Sequence, residues 1–188
     1  MIQPVGTFYS WWRGDAVPRL PPLVEFTITP DASADLLAGL PEFAPDDAHG
    51  WQRQGHRLYL ARLGPECVAW GWVATEAAAI GELGVDVPLP PGNRYLWGFI
   101  TRSEWRGRGI YPRLLQAILR QEADAGRFWI GHDTANVASA RGILRAGFQP
   151  AGQVYPDAAG SLWYQPSGPR ERSDACEALF GITAHPAG

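Results

Sequence analysis

Gly107 and Gly109 alternate with Arg106 and Arg108 immediately ahead of an amphipathic run, in the stretch EWRGRGIYPRLLQAIL from Glu104 to Leu119. The spacing of Leu114, Leu115, Ile118 and Leu119 predicts a helix over Pro112–Ala125, stopped by Gly126. A helix begins with backbone N–H groups that have no partner, at the positive end of its dipole. Glycines ahead of it let those groups approach a ligand closely, and the two guanidinium groups add charge. The chemistry on offer is the binding of a phosphate or pyrophosphate. The same residues also read more plainly, as a tight strand-to-helix turn with solvated arginines, and the turn alone leaves both readings open. It is not a dinucleotide fingerprint, because no third glycine follows at the required spacing and no parallel β-α-β unit precedes it. Two glycines in a structured, acidic domain do not make an RGG-type RNA contact.

A second group of candidates lies downstream. The segment NVASARGILRAGF, Asn136–Phe148, predicts a short helix over Ala138–Ala146 closed by Gly147. Asn136 suits its N-cap and is also free in principle to contact a ligand; the two roles are compatible. His132, on the strand before it, ionises in the range useful for general base work. Its plainer reading is a hydrogen-bonded or core-facing strand residue. Glu82 is the nearest acidic candidate on the hairpin side, and reads equally as a surface carboxylate on a loop. Trp70 and Trp72 alternate on one strand and so share a face, with Trp97 on the next. Core packing comes first for these, and an acceptor cleft second.

The elements that must position these residues follow from pattern. LVEFTIT, HRLYLARL, CVAWGWVAT, RYLWGFIT, RFWIGHDT, AGQVYP and SLWYQP read as strands, the second and third joined by the turn GPE into a hairpin. DASADLLAGL reads as a short helix capped by Asp31 or Ser33, PEFAPDDAHG as loop or a broken helix, and ELGVDVPLPPGN as a turn-rich connection. Prolines at 18, 21 and 22 mark residues 1–22 as an irregular arm. Its adjacent Trp11 and Trp12 are expected to form a flap or a partner contact. Residues 23–166 form the domain proper, and the polar stretch 167–188 reads as a tail. Strands outnumber and surround the helices, so the fold class is α+β, with a mixed, mostly antiparallel sheet.

Composition sets the outer bounds. A chain of 188 residues, 46% hydrophobic with 9 tryptophans, folds around one substantial core. A net charge of −3 argues against nucleic acid as partner. All 16 basic residues are arginine, and without a lysine neither a Walker A loop nor a Schiff-base enzyme can be built. Cys67 and Cys176 are far apart and form no metal or redox motif, so both read as free thiols in a reducing compartment, and no metal site is expected. The N-terminal stretch shows no basic region followed by an apolar run, and no apolar stretch approaches the ~20 residues that span a membrane. A cytoplasmic location is the expectation, with no membrane partner.

Taken together, Arg106–Tyr111 and Asn136–Phe148 resemble the GNAT acyltransferase superfamily. That family carries an Arg/Gln-x-x-Gly-x-Gly/Ala turn after its fourth strand and, later, an Asn-x-x-Ala/Ser segment ending in Gly-Phe. Arg106, Gly107, Arg108 and Gly109 fit the first; Asn136, Ser139, Gly147 and Phe148 fit the second. The resemblance is clear over Tyr95–Phe148 and looser over Arg57–Thr75. It implies a GNAT-like sheet flanked by helices and acetyl-CoA as co-substrate. The N–H groups of Gly107, Arg108, Gly109, Ile110 and Tyr111 would hold its pyrophosphate. Backbone groups of Phe99, Ile100 and Thr101 would pair with the pantetheine amides and supply an oxyanion donor. Asn136 and Ser139 would contact the far side of the arm.

Three departures from the family pattern stand out. Tyr111 replaces the usual small sixth residue of the turn, so its side chain must point away from phosphate, and Pro112 lacks an N–H. Ile143 stands where many members carry the tyrosine that protonates the leaving sulfur. Asn93 and Gly131 stand at two positions where members carry a carboxylate base, leaving His132 as the catalytic candidate. The resulting expectation is an N-acetyltransferase acting on a primary amine, small molecule or peptide, by direct attack, in a chain that could form oligomers. The alternatives are a non-catalytic acyl-CoA-binding module and an interaction domain that retains only the fold.

Overall fold

A computed structural model describes residues 2–43, 48–80, 85–157 and 161–182. In chain order the elements are β1 (Gly6–Trp12), β2 (Phe26–Thr29), α1 (Ala48–Arg53), β3 (Arg57–Leu63), β4 (Glu66–Ala74), β5 (Ala77–Ile80), β6 (Val85–Pro88) and β7 (Asn93–Thr101). There follow α2 (Ile110–Gln121), β8 (Arg127–Asp133), α3 (Val137–Ala146), β9 (Gln149–Pro156), β10 (Leu162–Pro166) and α4 (Arg170–Phe180). Eight strands form one sheet in the order β10-β9-β1-β8-β7-β4-β3-β2. Its one parallel neighbour pair is β7–β8; every other pairing is antiparallel. This is the expected α+β class with a mixed, mostly antiparallel sheet.

Both faces of the sheet are covered. On one, α2 presents Leu114, Leu115, Ile118 and Leu119 to Tyr59, Leu96, Phe128 and Ile130, and α3 adds Ile143 and Ala146. On the other, α4 packs Cys176 and Phe180 over Phe8, Tyr95 and Trp129. Leu58, Leu60, Trp70 and Trp72 form a third cluster with Ala48 of α1, so core packing is the role of these two tryptophans. Both cysteines are free. Ser33 caps the short 3-10 turn Ala34–Leu37. The segment expected to be a turn-rich connection contributes β6, which pairs with β5 as a separate two-stranded ribbon.

Two sequence expectations are corrected at the termini. Residues 1–22 are not an irregular arm throughout, because GTFYSWW forms β1, wedged between β8 and β9 in the middle of the sheet. The prolines that suggested irregularity lie after the strand, in the strap that leads to β2. Trp11 is buried edge-on against Phe128, with ring centroids 5.7 Å apart. Trp12 lies between the guanidinium groups of Arg127 and Arg172, at 4.3 and 4.7 Å. Neither tryptophan is a flap. The expected tail likewise holds α4, which is tied to β1 through buried Arg172. That side chain donates to Ser10 Oγ at 3.1 Å and to both carboxylate oxygens of Asp15 at 2.6 and 2.7 Å. Phe180 stacks on Phe8 at 4.2 Å. A polar surface on α4 hides this, since the contacts come from one narrow face.

Candidate active site

The site begins where the sheet comes apart. β7 and β8 are in register from Asn93↔Arg127 to Leu96↔Ile130, and no further. Beyond that point β7 follows β4, while Gly131, His132 and Asp133 follow β1. The divergence has a local cause. Trp72 pairs with Trp97 and Trp70 with Ile100, so Gly98 and Phe99 both stand opposite Gly71. This bulge bends β7 away from β8, and the Phe99 ring fills the space over Gly71 that a side chain there would need. The result is an opening between the two strands, and the Phe99 ring of the bent strand meets Tyr111 in the first turn of α2.

The turn at that N-terminus is built from left-handed backbone. Gly107 has φ +77° and Gly109 φ +69°, values that side-chain-bearing residues adopt at a cost. No side chain caps α2 at Gly109, which leaves the first-turn N–H groups available. A Cβ at Gly107 would meet nothing within 4 Å, so that side of the turn is open. A Cβ at Gly109 would strike the Arg113 guanidinium, which donates to Gly109 O at 2.6 Å and to Pro21 O. The Arg145 guanidinium reaches the same place from the last turn of α3. Arg106 donates to Thr101 O at 3.0 Å, and Arg108 lies over the Trp105 ring at 4.5 Å. Two guanidinium groups, those of Arg113 and Arg145, therefore meet at an uncapped helix start, and Arg106 and Arg108 directly precede it in the chain.

Tyr111 turns away from this turn, as its size requires. Its ring packs on Phe99, with centroids 5.4 Å apart, and against α3 at Gly142, where any side chain would collide with it. Its hydroxyl lies 3.4 Å from Ser139 Oγ, and burial pushes the phenol above its ordinary range, so it stays protonated. Ile110 is buried in the core, and only its backbone faces the turn. Ile100 and Thr101 pair with Trp70 and Ala69 of β4 along the edge away from the opening.

Asn136 caps α3: its Oδ1 accepts from Ser139 N at 3.0 Å. Ile143 is fully buried and offers the opening no proton donor. His132 is engaged at both ring nitrogens. Nδ1 lies 2.6 Å from Asp133 O and Nε2 3.1 Å from the Tyr9 hydroxyl. With Nδ1–H donating to the carbonyl, Nε2 accepts the Tyr9 O–H. Burial raises the Tyr9 phenol and keeps it a donor. Asn93 does not face the opening. It sits at the closed end of the parallel pair, where its Oδ1 accepts from Trp129 Nε1 at 2.8 Å. Gly131 does line the opening. Glu82 lies outside the described residues.

On the α4 side of the opening is a cleft of about 670 Å³, lined by residues that include Phe8, Ile80, Tyr95, Trp97, Asp133 and Val154. Trp97 is held there by donating from Nε1 to His56 Nδ1 at 3.0 Å; burial lowers the His56 pKa and favours the neutral ring that can accept. Among the described residues no cluster of metal-binding side chains occurs. Among the described residues, no helix is long and apolar enough to cross a membrane.

Sequence reasoning missed three groups here. Tyr9 was hidden by reading its segment as irregular, although the alternation in GTFYSWW was a strand signal. Asp133 ends a recognised strand, and strand alternation alone places it on the face of Trp129 and Gly131. Glu122 is the third, a fully buried carboxylate at the end of α2. It accepts from Arg57 at 3.0 Å, from Arg94 at 2.8 Å and from Tyr59 at 2.6 Å. In sequence it looks like any carboxylate near a helix terminus.

A parallel pair that parts in front of an uncapped, arginine-rich helix start is the arrangement expected of an acyltransferase of the GNAT type. The model of the Acetyltransferase (GNAT) family matches residues 28–148, and the chain belongs to that family. No curated protein matches it. Among solved structures, the fold is similar to a GNAT-family acetyltransferase from Colwellia psychrerythraea, at 16% identity and TM-score 0.55, covering 81% of this chain and 55% of that one. It is also similar to a GCN5-related N-acetyltransferase from Kribbella flavida (17%, TM-score 0.53, 89% and 60%). A tandem GNAT protein of the clavulanic acid biosynthesis pathway is comparably similar (17%, TM-score 0.51, 88% and 54%). The chain thus spans a little over half the length of these proteins. At such identities the likeness is one of fold.

Proposed function

We propose that this acetyltransferase domain uses acetyl-CoA and transfers the acetyl group to a primary amine. The observation that carries the reading is the parting of β7 from β8 after Leu96 and Ile130, directly before a turn whose two glycines are both left-handed. The residues fit an acyl-CoA: the open side of Gly107 leaves room for phosphate, and no side chain competes for the α2 N–H groups. Gly107–Tyr111 would hold the pyrophosphate, with Arg106, Arg108 and Arg145 adding charge. Phe99–Thr101 would offer backbone groups to the pantetheine arm. Asn136 and Ser139 would border it while also capping α3 and meeting Tyr111.

In the reaction, the amine lone pair forms the C–N bond, the C–S bond breaks with its electron pair on sulfur, and the amine proton passes to water. A thiol has a pKa near ~8.5, so the thiolate leaves acceptably without an acid at position 143. Both nitrogens of His132 are occupied. The alternative to water is a relay, in which His132 Nε2 takes the Tyr9 proton as the Tyr9 oxygen accepts the proton of the amine. The two free thiols, Cys67 and Cys176, agree with a cytoplasmic setting.

A second reading, an acyl-CoA-binding module without turnover, is favoured by one observation: buried Ile143 in place of a phenol. A thiol-release assay over an amine panel separates the two. Acetyl-dependent thiol release that requires an amine supports the transferase; CoA binding with no release over the whole panel supports the module.

A further inference from the structure

The cleft on the α4 side carries information about the acceptor. Most of its described lining is apolar or aromatic, including Phe8, Ile80, Tyr95, Trp97 and Val154, with Thr7, His132 and Asp133 as further polar side chains. No arginine is among the described lining residues, although the chain has 16. Asp133 is the one carboxylate among them, and strand alternation directs it to the same face as Gly131 and Trp129. It ends the parted segment of β8, three residues past Ile130, the last residue paired with β7. No ion pair engages it among the described residues. Trp97 is fixed by its bond to His56 and by rings on two sides, Trp51 at 4.7 Å and Trp72 at 5.8 Å, so this wall is rigid.

A cleft of this size takes a small molecule, not a folded surface. Apolar walls reject a polyhydroxylated acceptor, whose hydroxyls would lose water without gaining partners. A single carboxylate at the end of the parted strand suits a single cationic head. We propose that the acceptor is a monocationic primary amine with an apolar or aromatic body. Its ammonium docks at Asp133 and gives one proton to water before its lone pair attacks, and its body lies against Phe8, Ile80 and Trp97. This rests on the transferase reading only for what happens to the amine, not for its binding.

The test is isothermal titration of the full chain with three probes, without CoA. These are 2-phenylethylamine, the neutral-bodied polar amine glucosamine, and 3-phenylpropionate, which has a similar body with the opposite charge. Saturable binding of phenylethylamine, at least about tenfold tighter than glucosamine, is expected, with no binding of phenylpropionate. Asp133→Asn, at an exposed strand end, is expected to weaken phenylethylamine about tenfold while the melting transition stays in place. Absence of phenylethylamine binding, tighter glucosamine, equal phenylpropionate, or an unchanged Asp133→Asn affinity overturns the proposal. A parallel titration with CoA keeps the two ideas apart. Failure of CoA to bind while phenylethylamine behaves as stated removes the transferase reading and leaves the cleft assignment standing.

Discussion

Replacing Glu122 by Gln is expected to be among the most damaging single changes to this fold, although position 122 is far from the turn. The carboxylate is fully buried and holds the end of α2 to β3 and β7 through Arg57, Tyr59 and Arg94. Removing one member of a buried ion pair costs about 3–5 kcal/mol, because the partner charge stays buried. Two features push this case to the lower end. The Arg57 side chain is 42% exposed and can return to water, and Arg94, at 6%, keeps Asp124 as a second partner. About 3 kcal/mol remains. With a urea slope of about 2 kcal/mol/M for a chain of this size, the midpoint should fall by about 1.5 M. Arg57→Ala should cost about 1 kcal/mol or less, since its charge is half solvated. Equilibrium urea unfolding of both variants measures the difference. A midpoint shift below about 0.5 M for Glu122→Gln, or an equal shift for Arg57→Ala, would refute the claim that this network anchors α2.

Three further outcomes follow from the geometry. Arg172→Ala should destabilise by about 2 kcal/mol or more and expose the C-terminal segment to limited proteolysis, because it releases α4 from Asp15 and Ser10 together; a protease-resistant variant would show that α4 docks by its apolar face alone. The rate on one fixed amine should climb with pH as free amine accumulates, since water takes the amine proton and no side chain is required as base; a bend in the wild-type profile that vanishes in both His132→Gln and Tyr9→Phe would establish the relay as the base. His56 has a lowered pKa, so the folded state binds fewer protons than the unfolded state. Its contribution is full above ~6.5 and is lost as pH falls below that value. Thermal melts from pH 7.5 to 5 should show this loss, and His56→Gln should flatten it; an identical slope in the variant would place the sensitivity elsewhere.

The strands around the opening were legible because their patterns are local. RYLWGFIT, RFWIGHDT and the Leu114–Leu119 spacing state their own period, and Gly107, Gly109 and Asn136 sit at positions defined by chain neighbours. The parting of β7 from β8 was not legible. It arises from Gly98 and Phe99 sharing one partner across the sheet, a pairing between residues about thirty apart in sequence. β1 was missed because its partners, β8 and β9, lie more than a hundred residues away, and the prolines beside it dominated the local signal. α4 was missed because its composition is polar and its cohesion comes from Arg172, Cys176 and Phe180, a face recognisable only once β1 is in place. Asn93 was placed at the site by counting along β7, yet a parallel pair that is closed at one end puts its first residues farthest from the opening.

The central claim is that the turn Arg106–Tyr111 holds the phosphates of an acyl-CoA. Isothermal titration of acetyl-CoA into the wild-type chain and into Gly109→Asp tests it most directly. An aspartate there must adopt a left-handed φ of +69°, displace the Arg113 guanidinium, and place a negative charge where phosphate would sit. A thermal melt of the same samples establishes that the variant is folded. The account predicts one saturable site on the wild type and a loss of about a hundredfold or more in the folded variant, the equivalent of about 2.7 kcal/mol or more. Equal affinity in a folded variant, or no saturable binding to the wild type, would contradict it.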